Sequence, residues 1–167
     1  MKPATFNHDA QESLEDAFRL LAENGDEAKR IAGGQSLIPV MNLRLSQLEH
    51  LIDINGIEEL AGISKNGDRI TIGALTRHSE VLESPLVRES CPLLTAAAGR
   101  IGHLAIRNRG TIGGSLSNAD PAAEWSLMAF LLDAGITVAS AHGSRTVRAS
   151  DFILSIYTTD LEADEIL

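Results

Sequence analysis

Two short glycine-rich segments constrain the fold of this 167-residue chain more than any other feature. The first glycine segment is AlaGlyGlyGlnSer at 32–36, and the second glycine segment is ThrIleGlyGlySer at 111–115. Glycine lets the main chain approach a ligand closely and adopt positive φ, and successive N–H groups in such a turn form a concave anion site. Each segment therefore predicts a loop that can receive a phosphate group.

A single Gly-Gly pair usually marks a turn without a ligand, and neither segment matches the Rossmann fingerprint or a Walker A loop. The two segments together are more informative, because both combine Gly-Gly with hydroxyl residues. Two such loops on different subdomains could close on a diphosphate from two sides, which would suit a dinucleotide. The alternative is that residues 118–121 merely cap a helix, with Asp120 as N-cap and Pro121 at the first helical position.

The composition excludes several functional classes. A net charge of −9 would repel a phosphate backbone, so we expect no nucleic-acid partner. No apolar run reaches membrane-spanning length, and the single cysteine, Cys91, fits a reducing compartment, so we expect a cytoplasmic protein without a membrane span. No catalytic triad, paired acid motif or metal-ligand spacing is visible, so we expect no catalytic side chain and no metal site.

The aromatic and histidine side chains suggest no separate site. Trp125 and Tyr157 are expected to be packing residues. The histidines are scattered along the chain, and for each we expect a surface or loop position; they are His8, His50, His78, His103 and His142.

The order of predicted elements indicates an α+β fold. Residues 1–54 give the order β-α-β-loop-α-β, which predicts a small sheet with helical cover. AsnGly at 55–56 marks a boundary, so we expect two subdomains, residues 1–54 and 55–167.

The second subdomain carries clear turn signals. AsnGlyAsp at 66–68 and HisGlySer at 142–144 each predict a hairpin. Pro121 predicts the start of a helix that runs to about Asp133. The final GluIleLeu is typical of the opening of a strand, which suggests either a shortened product or a sheet completed by another chain.

Longer stretches around the two glycine segments resemble the flavoprotein subunits of molybdenum hydroxylases. These are the medium chains of carbon monoxide dehydrogenase and its relatives, and the middle domain of xanthine dehydrogenase. The strongest match is IleArgAsnArgGlyThrIleGlyGlySerLeuSerAsnAlaAspProAlaAlaGlu at 106–124. AlaGlyGlyGlnSerLeuIleProValMetAsnLeuArgLeu at 32–45 and IleGlyAlaLeuThrArgHisSerGluVal at 72–81 are also similar, in the same order. The likeness covers nearly the whole chain.

The resemblance implies a two-subdomain FAD-binding fold of the vanillyl-alcohol-oxidase and molybdopterin-dehydrogenase type, with FAD between the subdomains. It implies that the following residues bind the cofactor: Ala32, Gly33, Gly34, Gln35, Ser36, Leu37, Ile101, Thr111, Ile112, Gly113, Gly114, Ser115, Glu124 and Leu161. Two of them depart from the family pattern, since Ser115 replaces the commoner Asn and Glu124 replaces Asp. Both remain polar, so the expectation of FAD binding stands.

By resemblance, the function is electron relay. Electrons pass from a large molybdenum-cofactor subunit through 2Fe-2S clusters on a small subunit to FAD, and from FAD to an acceptor. Molybdopterin and 2Fe-2S are therefore expected only on partner subunits. Relatives continue for another domain after Glu165, so that domain is expected to be absent here. The alternatives are a truncated FAD-fold module with a non-catalytic assembly role, or a free-standing flavin oxidoreductase.

Overall fold

A three-stranded, wholly parallel sheet forms the first part of the computed structural model, which describes residues 2–167. Its elements are β1 (Asn7–Ala10), α1 (Leu14–Asn24), β2 (Ala28–Ile31), α2 (Leu37–Asn42) and β3 (His50–Asp53). The strand order is β1-β3-β2, and both outer strands run parallel to β3. The predicted β-α-β-loop-α-β order is confirmed, and the sheet directs the carboxyl ends of all three strands to one edge.

Helix α1 covers one face of this sheet because its apolar residues recur at helical spacing. Ala17, Phe18 and Leu21 are buried, and they pack against Ile52 of β3. The side chain of Ser13 caps the helix by accepting a hydrogen bond from the Asp16 N–H at 3.2 Å.

The second part of the chain is mixed. Its strands are β4 (Ile63–Asn66), β5 (Arg69–Ile72), β6 (Gly135–Ser140), β7 (Gly143–Arg148), β8 (Ile153–Ser155) and β9 (Thr158–Thr159). Its helices are α3 (His78–Glu83), α4 (Pro85–Ser90), α5 (Pro92–Ala98), α6 (Leu104–Arg107), α7 (Ile112–Asn118), α8 (Glu124–Leu131) and α9 (Ala149–Phe152). Each strand pair is antiparallel, and both predicted hairpins, β4–β5 and β6–β7, are confirmed.

The chain has two hydrophobic clusters, and the smaller cluster contains residues from both parts of the chain. The larger cluster packs α5, α7 and α8 against β6 around Phe152, which is fully buried. The smaller one lies between α1 and the parallel sheet, yet it also takes in Leu75 and Ile166 from the second part. Ile166 forms a two-way backbone pair with Ala139 at the end of β6, with both N–O distances at 2.8 Å. The strand predicted at GluIleLeu is thus reduced to this one bridge.

The helix predicted from Pro121 begins later. Residues 120–123 form a turn in which the Asp120 carboxylate accepts a hydrogen bond from the Ala122 N–H at 2.8 Å. Helix α8 starts at Glu124 with Ala123 as N-cap. Asp120 is therefore a turn residue rather than a helix cap, because its carboxylate is satisfied two residues on and not three.

Candidate functional site

The first glycine segment lies where β2 leaves the carboxyl edge of the parallel sheet. Gly34 has a φ of +69°, which a residue with a Cβ adopts only at a cost. Among residues 2–167, no protein group accepts from the main-chain N–H groups of Gly33 through Leu37; the first such bond runs from Ile38 to the Gly34 carbonyl at 3.1 Å. A row of open donors therefore precedes α2, at the edge where parallel sheets commonly bind ligands.

The second glycine segment is mostly helical, so its prediction as a loop was wrong. Thr111 is the N-cap of α7, and its hydroxyl accepts from the Gly114 N–H at 3.1 Å. The Gly113 N–H donates to the Ala74 carbonyl at 2.8 Å, and the Ser115 N–H donates to the Thr111 carbonyl at 3.0 Å. The Thr111 hydroxyl, which caps the N–H three residues further on, therefore favours the start of a helix over the turn that Gly-Gly predicts.

The glycines of the second segment play different parts. Gly113 is buried, and a Cβ there would stand 2.6 Å from the Cβ of Ala74. Gly114 is exposed, and a Cβ there would project toward the Thr111 hydroxyl at 2.8 Å and the Ala32 Cβ at 4.0 Å. Gly113 permits helix packing, whereas Gly114 leaves open the space that faces the first segment.

The two segments approach each other through bare main chain. A Cβ built on Gly33 would lie 2.2 Å from the carbonyl oxygen of Arg109 and 2.8 Å from the Cα of Gly110. Since real Cβ contacts never come so close, glycine at 33 is what allows the parallel sheet to join the second part of the chain at this point.

A hydrogen-bond chain holds the same junction on its outer side. The Asn55 amide donates to the Ala32 carbonyl at 2.8 Å, and its oxygen accepts from the Arg77 guanidinium at 2.6 Å. Arg77 also donates to the carbonyl of Arg109. Because Asn55 follows β3 and Arg77 precedes α3, this chain fixes the spacing between the two glycine segments.

Between the segments lies a cleft of about 380 Å³. Most of the predicted binding residues line it: Ala32, Gly33, Gly34, Gln35, Ser36, Leu37, Ile101, Thr111, Gly113, Gly114, Ser115 and Glu124. Ile112 is buried in the larger hydrophobic cluster, and Leu161 packs against that cluster half-buried. The structure thus brings twelve of the fourteen predicted residues to one cleft, and places Ile112 and Leu161 behind its wall.

Several lining residues were missed by the sequence reasoning. The main ones are Arg30, His78, Ile106, Asn118, Asp120 and Tyr157. Tyr157 was expected to pack, but it is 61% exposed and has a φ of +56°. Its hydroxyl donates to Asp120 at 3.3 Å, and the carboxylate raises the pKa of the phenol. No sequence signal points to Tyr157, because its place depends on the Ala119 carbonyl that accepts from its N–H at 3.0 Å.

A cationic group lies at the sheet end of the cleft despite the acidic chain. Arg30 of β2 donates to the Ala163 carbonyl at 2.9 Å. Burial lowers the pKa of Arg30, with Glu165 acting in the opposite direction, but a guanidinium remains charged at any physiological pH. Glu165 itself is paired with Arg145, whose Nε lies 2.7 Å away. A partly desolvated positive charge therefore adjoins the open donors of the first segment.

His78 lies at the base of the cleft, which contradicts the surface or loop position that the sequence predicts. Its side chain is only 5% exposed. Burial, together with the nearby Arg77 charge, lowers its pKa to about 4. Its Nδ1 accepts a hydrogen bond from the Trp125 indole at 2.9 Å. His78 is therefore neutral at physiological pH.

Two further findings concern metal ions and membranes. Within residues 2–167, no group of three or more His, Cys, Asp or Glu side chains is placed to hold a metal ion. In the same residues, no helix combines the length and the apolar character that a membrane crossing requires.

A small parallel sheet, a mixed second part and a cleft between two glycine segments define an FAD-binding fold of the α+β class. Residues 5–167 match the family model described as the FAD binding domain in molybdopterin dehydrogenase. The chain belongs to this family, as the resemblance implied.

Similar proteins support this assignment along the whole chain. The alpha subunit of the 6-hydroxypseudooxynicotine dehydrogenase complex of Paenarthrobacter nicotinovorans is 44% identical over 167 residues. The carbon monoxide dehydrogenase medium chain of Hydrogenophaga pseudoflava is 41% identical over the same length. Among solved structures, carbon monoxide dehydrogenase from Hydrogenophaga pseudoflava superposes with a TM-score of 0.98 at 42% identity. Quinoline 2-oxidoreductase from Pseudomonas putida 86 superposes with a TM-score of 0.97 at 39% identity.

The match covers all of this chain but only part of each relative. The chain spans 56% of the Paenarthrobacter protein and 58% of the Hydrogenophaga medium chain. In the two solved structures it corresponds to 58% of the matched chain.

Proposed function

We propose that the cleft binds FAD, and that the first glycine segment holds its diphosphate. The observation that carries the proposal is the row of open main-chain donors from Gly33 to Leu37. Successive free N–H groups of this kind can bind an anion without any lysine. The charged Arg30 beside them adds attraction for a diphosphate in a chain whose net charge is −9.

The remaining residues fit the other parts of FAD. Gly114 leaves room for the cofactor to pass close to α7, and Ser115 and Glu124 offer polar contacts to hydroxyl or amide groups. Ile101 offers an apolar wall. Ile112, through its main chain, and Leu161, on the resemblance alone, stay proposed contacts. FAD supplies reversible electron transfer when bound, and the residues of this chain bind it, orient it and exclude water.

We infer that the two interlocked hydrophobic clusters correspond to two subdomains, residues 1–54 and 55–167. Leu75 and Ile166 belong to the second subdomain but pack into the smaller hydrophobic cluster, which links the two subdomains. A cleft at such a junction is a usual location for a cofactor.

We further propose that the chain is the FAD-binding part of a molybdenum hydroxylase. In this role it relays electrons from 2Fe-2S clusters on a small subunit through FAD to an acceptor, while a large molybdenum-cofactor subunit oxidises the substrate. The names of the relatives, which are medium chains and subunits, favour this role over a free-standing oxidoreductase or a non-catalytic assembly module. The single cysteine supports a cytoplasmic location for the complex.

FAD uptake tests the first proposal. The purified chain is incubated with FAD, freed of excess ligand by ultrafiltration and examined by visible absorbance. We expect about one FAD per chain, and competition by ADP, which carries the same diphosphate. A chain with native circular dichroism that retains no FAD would overturn the proposal.

The variant Gly114→Val sharpens this test. A valine there would fill the space that faces Ala32, so we expect FAD affinity to fall at least about tenfold while the chain stays folded. Gly99→Val controls for an exposed valine, because a Cβ on Gly99 would meet nothing closer than 3.5 Å. Thr111→Ala is the second control, because a Cβ on Gly114 would also lie 2.8 Å from the Thr111 hydroxyl that caps α7. The subunit role is tested separately, by co-expression with molybdenum and iron–sulfur subunits of a relative and recovery of a complex.

A further inference from the structure

His78 stands where the two glycine segments meet. It opens α3, and its N–H donates to the Gly110 carbonyl at 3.1 Å. A Cβ on Gly110 would lie 2.5 Å from His78 Nε2, so this nitrogen is set against the main chain directly before the second segment. Gly110 is also the residue whose Cα faces Gly33. The ring therefore lies beneath the junction, at the base of the cleft.

The Trp125 indole fixes the tautomer of this ring. An indole N–H can only donate, and it donates to His78 Nδ1 at 2.9 Å. Nδ1 must therefore be the unprotonated nitrogen. The two rings also pack against each other at a centroid distance of 5.8 Å, so the indole cannot swing away without opening the core. In the neutral ring the proton consequently resides on Nε2.

Nε2–H is a donor without a partner. Among residues 2–167, no protein group accepts a hydrogen bond from it, and the residue as a whole is 5% exposed. Within the described part of the chain, the completely enclosed side-chain polar atoms that lack a partner are Thr95 Oγ1, Arg107 Nε and Ser126 Oγ. Nε2 of His78 is not one of them, so it keeps access to the cleft. Because His78 lines the cleft, the acceptor that is absent from the protein can come from a ligand.

We propose that His78 is a further FAD-binding residue, whose Nε2–H donates to an oxygen of the cofactor at the base of the cleft, and that Trp125 is the positioning residue that keeps the proton on Nε2. The proposal rests on the proposed binding of FAD. It adds to the main-chain donors one side-chain donor with a fixed direction.

The electrostatic surroundings suit a neutral donor. Burial and the Arg77 charge hold the pKa of His78 at about 4, so protonation does not disturb the Trp125 hydrogen bond near neutral pH. The Arg77 guanidinium donates its hydrogen bonds to the Arg109 carbonyl and to Asn55. Nε2–H therefore keeps its role as a donor over the whole physiological pH range.

Nuclear magnetic resonance of the whole chain tests this directly. With histidine side chains labelled with ¹⁵N, long-range proton–nitrogen spectra report the tautomer of each ring. We expect His78 to be the Nε2–H tautomer before ligand is added. Addition of FAD is expected to move the Nε2 and Hε2 signals of His78 and to leave those of His142, on the β6–β7 turn, in place. Parallel titrations with ADP and riboflavin show which half of FAD supplies the acceptor.

Two variants add an affinity readout. His78→Phe keeps the shape of the ring but has no N–H, and we expect FAD affinity to fall roughly fivefold, the loss of about one hydrogen bond. Trp125→Phe is expected to lower the Nε2–H population and to weaken FAD binding by a smaller factor. His142→Gln is the control and is expected to bind FAD as the parent chain does.

The outcomes separate the two proposals. If the parent chain binds FAD but the His78 signals do not move, or if His78→Phe binds FAD with unchanged affinity, the role of His78 is overturned and FAD binding stands. If the parent chain shows the expected tautomer but takes up no FAD, both proposals fail. Movement of the His78 signals, together with weaker FAD binding by His78→Phe, supports His78 as a donor to the cofactor.

Discussion

The two glycine segments look alike in sequence but are built differently. The first has an open row of N–H groups and a glycine at positive φ, whereas the second is the capped start of a helix whose N–H groups are already used. The first segment is therefore suited to bind an anion. The second lines the cleft with main chain that carries no side chain at Gly113 and Gly114. The comparison teaches that Gly-Gly beside a hydroxyl residue can serve either task, and that the partner of each N–H decides which.

Gly33→Ala adds a side chain at the point where the two segments are in contact. It should have the largest effect on the free energy of unfolding. The new Cβ would lie 2.2 Å from the Arg109 carbonyl oxygen, which belongs to main chain that cannot yield easily. We expect the free energy of unfolding to fall by more than about 3 kcal/mol, as measured by urea denaturation. A loss of less than about 1 kcal/mol would show that the junction is looser than the structure has it.

Acid should lower the stability of the region around the second segment, because His78 packs against the main chain directly before it. The pKa of His78 is about 4 in the folded chain against an ordinary 6.5, so the unfolded chain binds more protons between these pH values. This contribution to stability is present above pH 6.5 and is lost as the pH falls toward 4. It amounts to about 3 kcal/mol.

Urea denaturation at several pH values measures this contribution as a difference between two chains. His78→Gln cannot titrate at this position, so the free energy of unfolding of the parent chain should fall more steeply with acid than that of the variant. Parallel pH profiles of the two chains would contradict the assigned pKa. The remaining carboxylates cancel in the comparison, since both chains carry them.

The elements whose sequence signals are local could be predicted from the sequence. The turn residues at 66–68 and 142–144 specify hairpins by themselves, and the apolar spacing of α1 specifies its buried face. The helical start at the second segment could not be predicted, because the acceptors of its N–H groups include the Ala74 carbonyl, which is distant in sequence. The buried position of His78 could not be predicted for the same reason, since only the fold brings Trp125 to its ring.

Gly34→Ala tests what is special to the first segment. A φ of +69° is costly for alanine, so we expect about 1–2 kcal/mol of destabilisation. We also expect a lower affinity for FAD, because the main-chain N–H groups of the first segment would shift. Gly67→Ala is the matched control, because Gly67 has a φ of +58° in the β4–β5 turn and nothing lies within 4 Å of its added Cβ. Calorimetry should show a somewhat larger loss of stability for Gly34→Ala, because its Cβ would also lie 3.1 Å from Cγ1 of Ile38. Isothermal titration should show weaker FAD binding only for Gly34→Ala. Equal FAD affinity in the two variants would remove the first segment from the binding site.

Thr111→Ala tests what is special to the second segment, and its effect should be the smallest. The Thr111 hydroxyl accepts from the Gly114 N–H at 3.1 Å, so its removal should cost about 1 kcal/mol of stability, the usual worth of a helix cap. Ser36 precedes α2 at the equivalent place but makes no capping bond, so Ser36→Ala should leave the free energy of unfolding within about 0.5 kcal/mol of the parent. Thr111→Ser should restore the lost stability, because it returns the hydroxyl. If Ser36→Ala and Thr111→Ala destabilise the chain equally in urea, the two segments are capped alike, and the contrast between an open and a closed set of N–H groups does not hold.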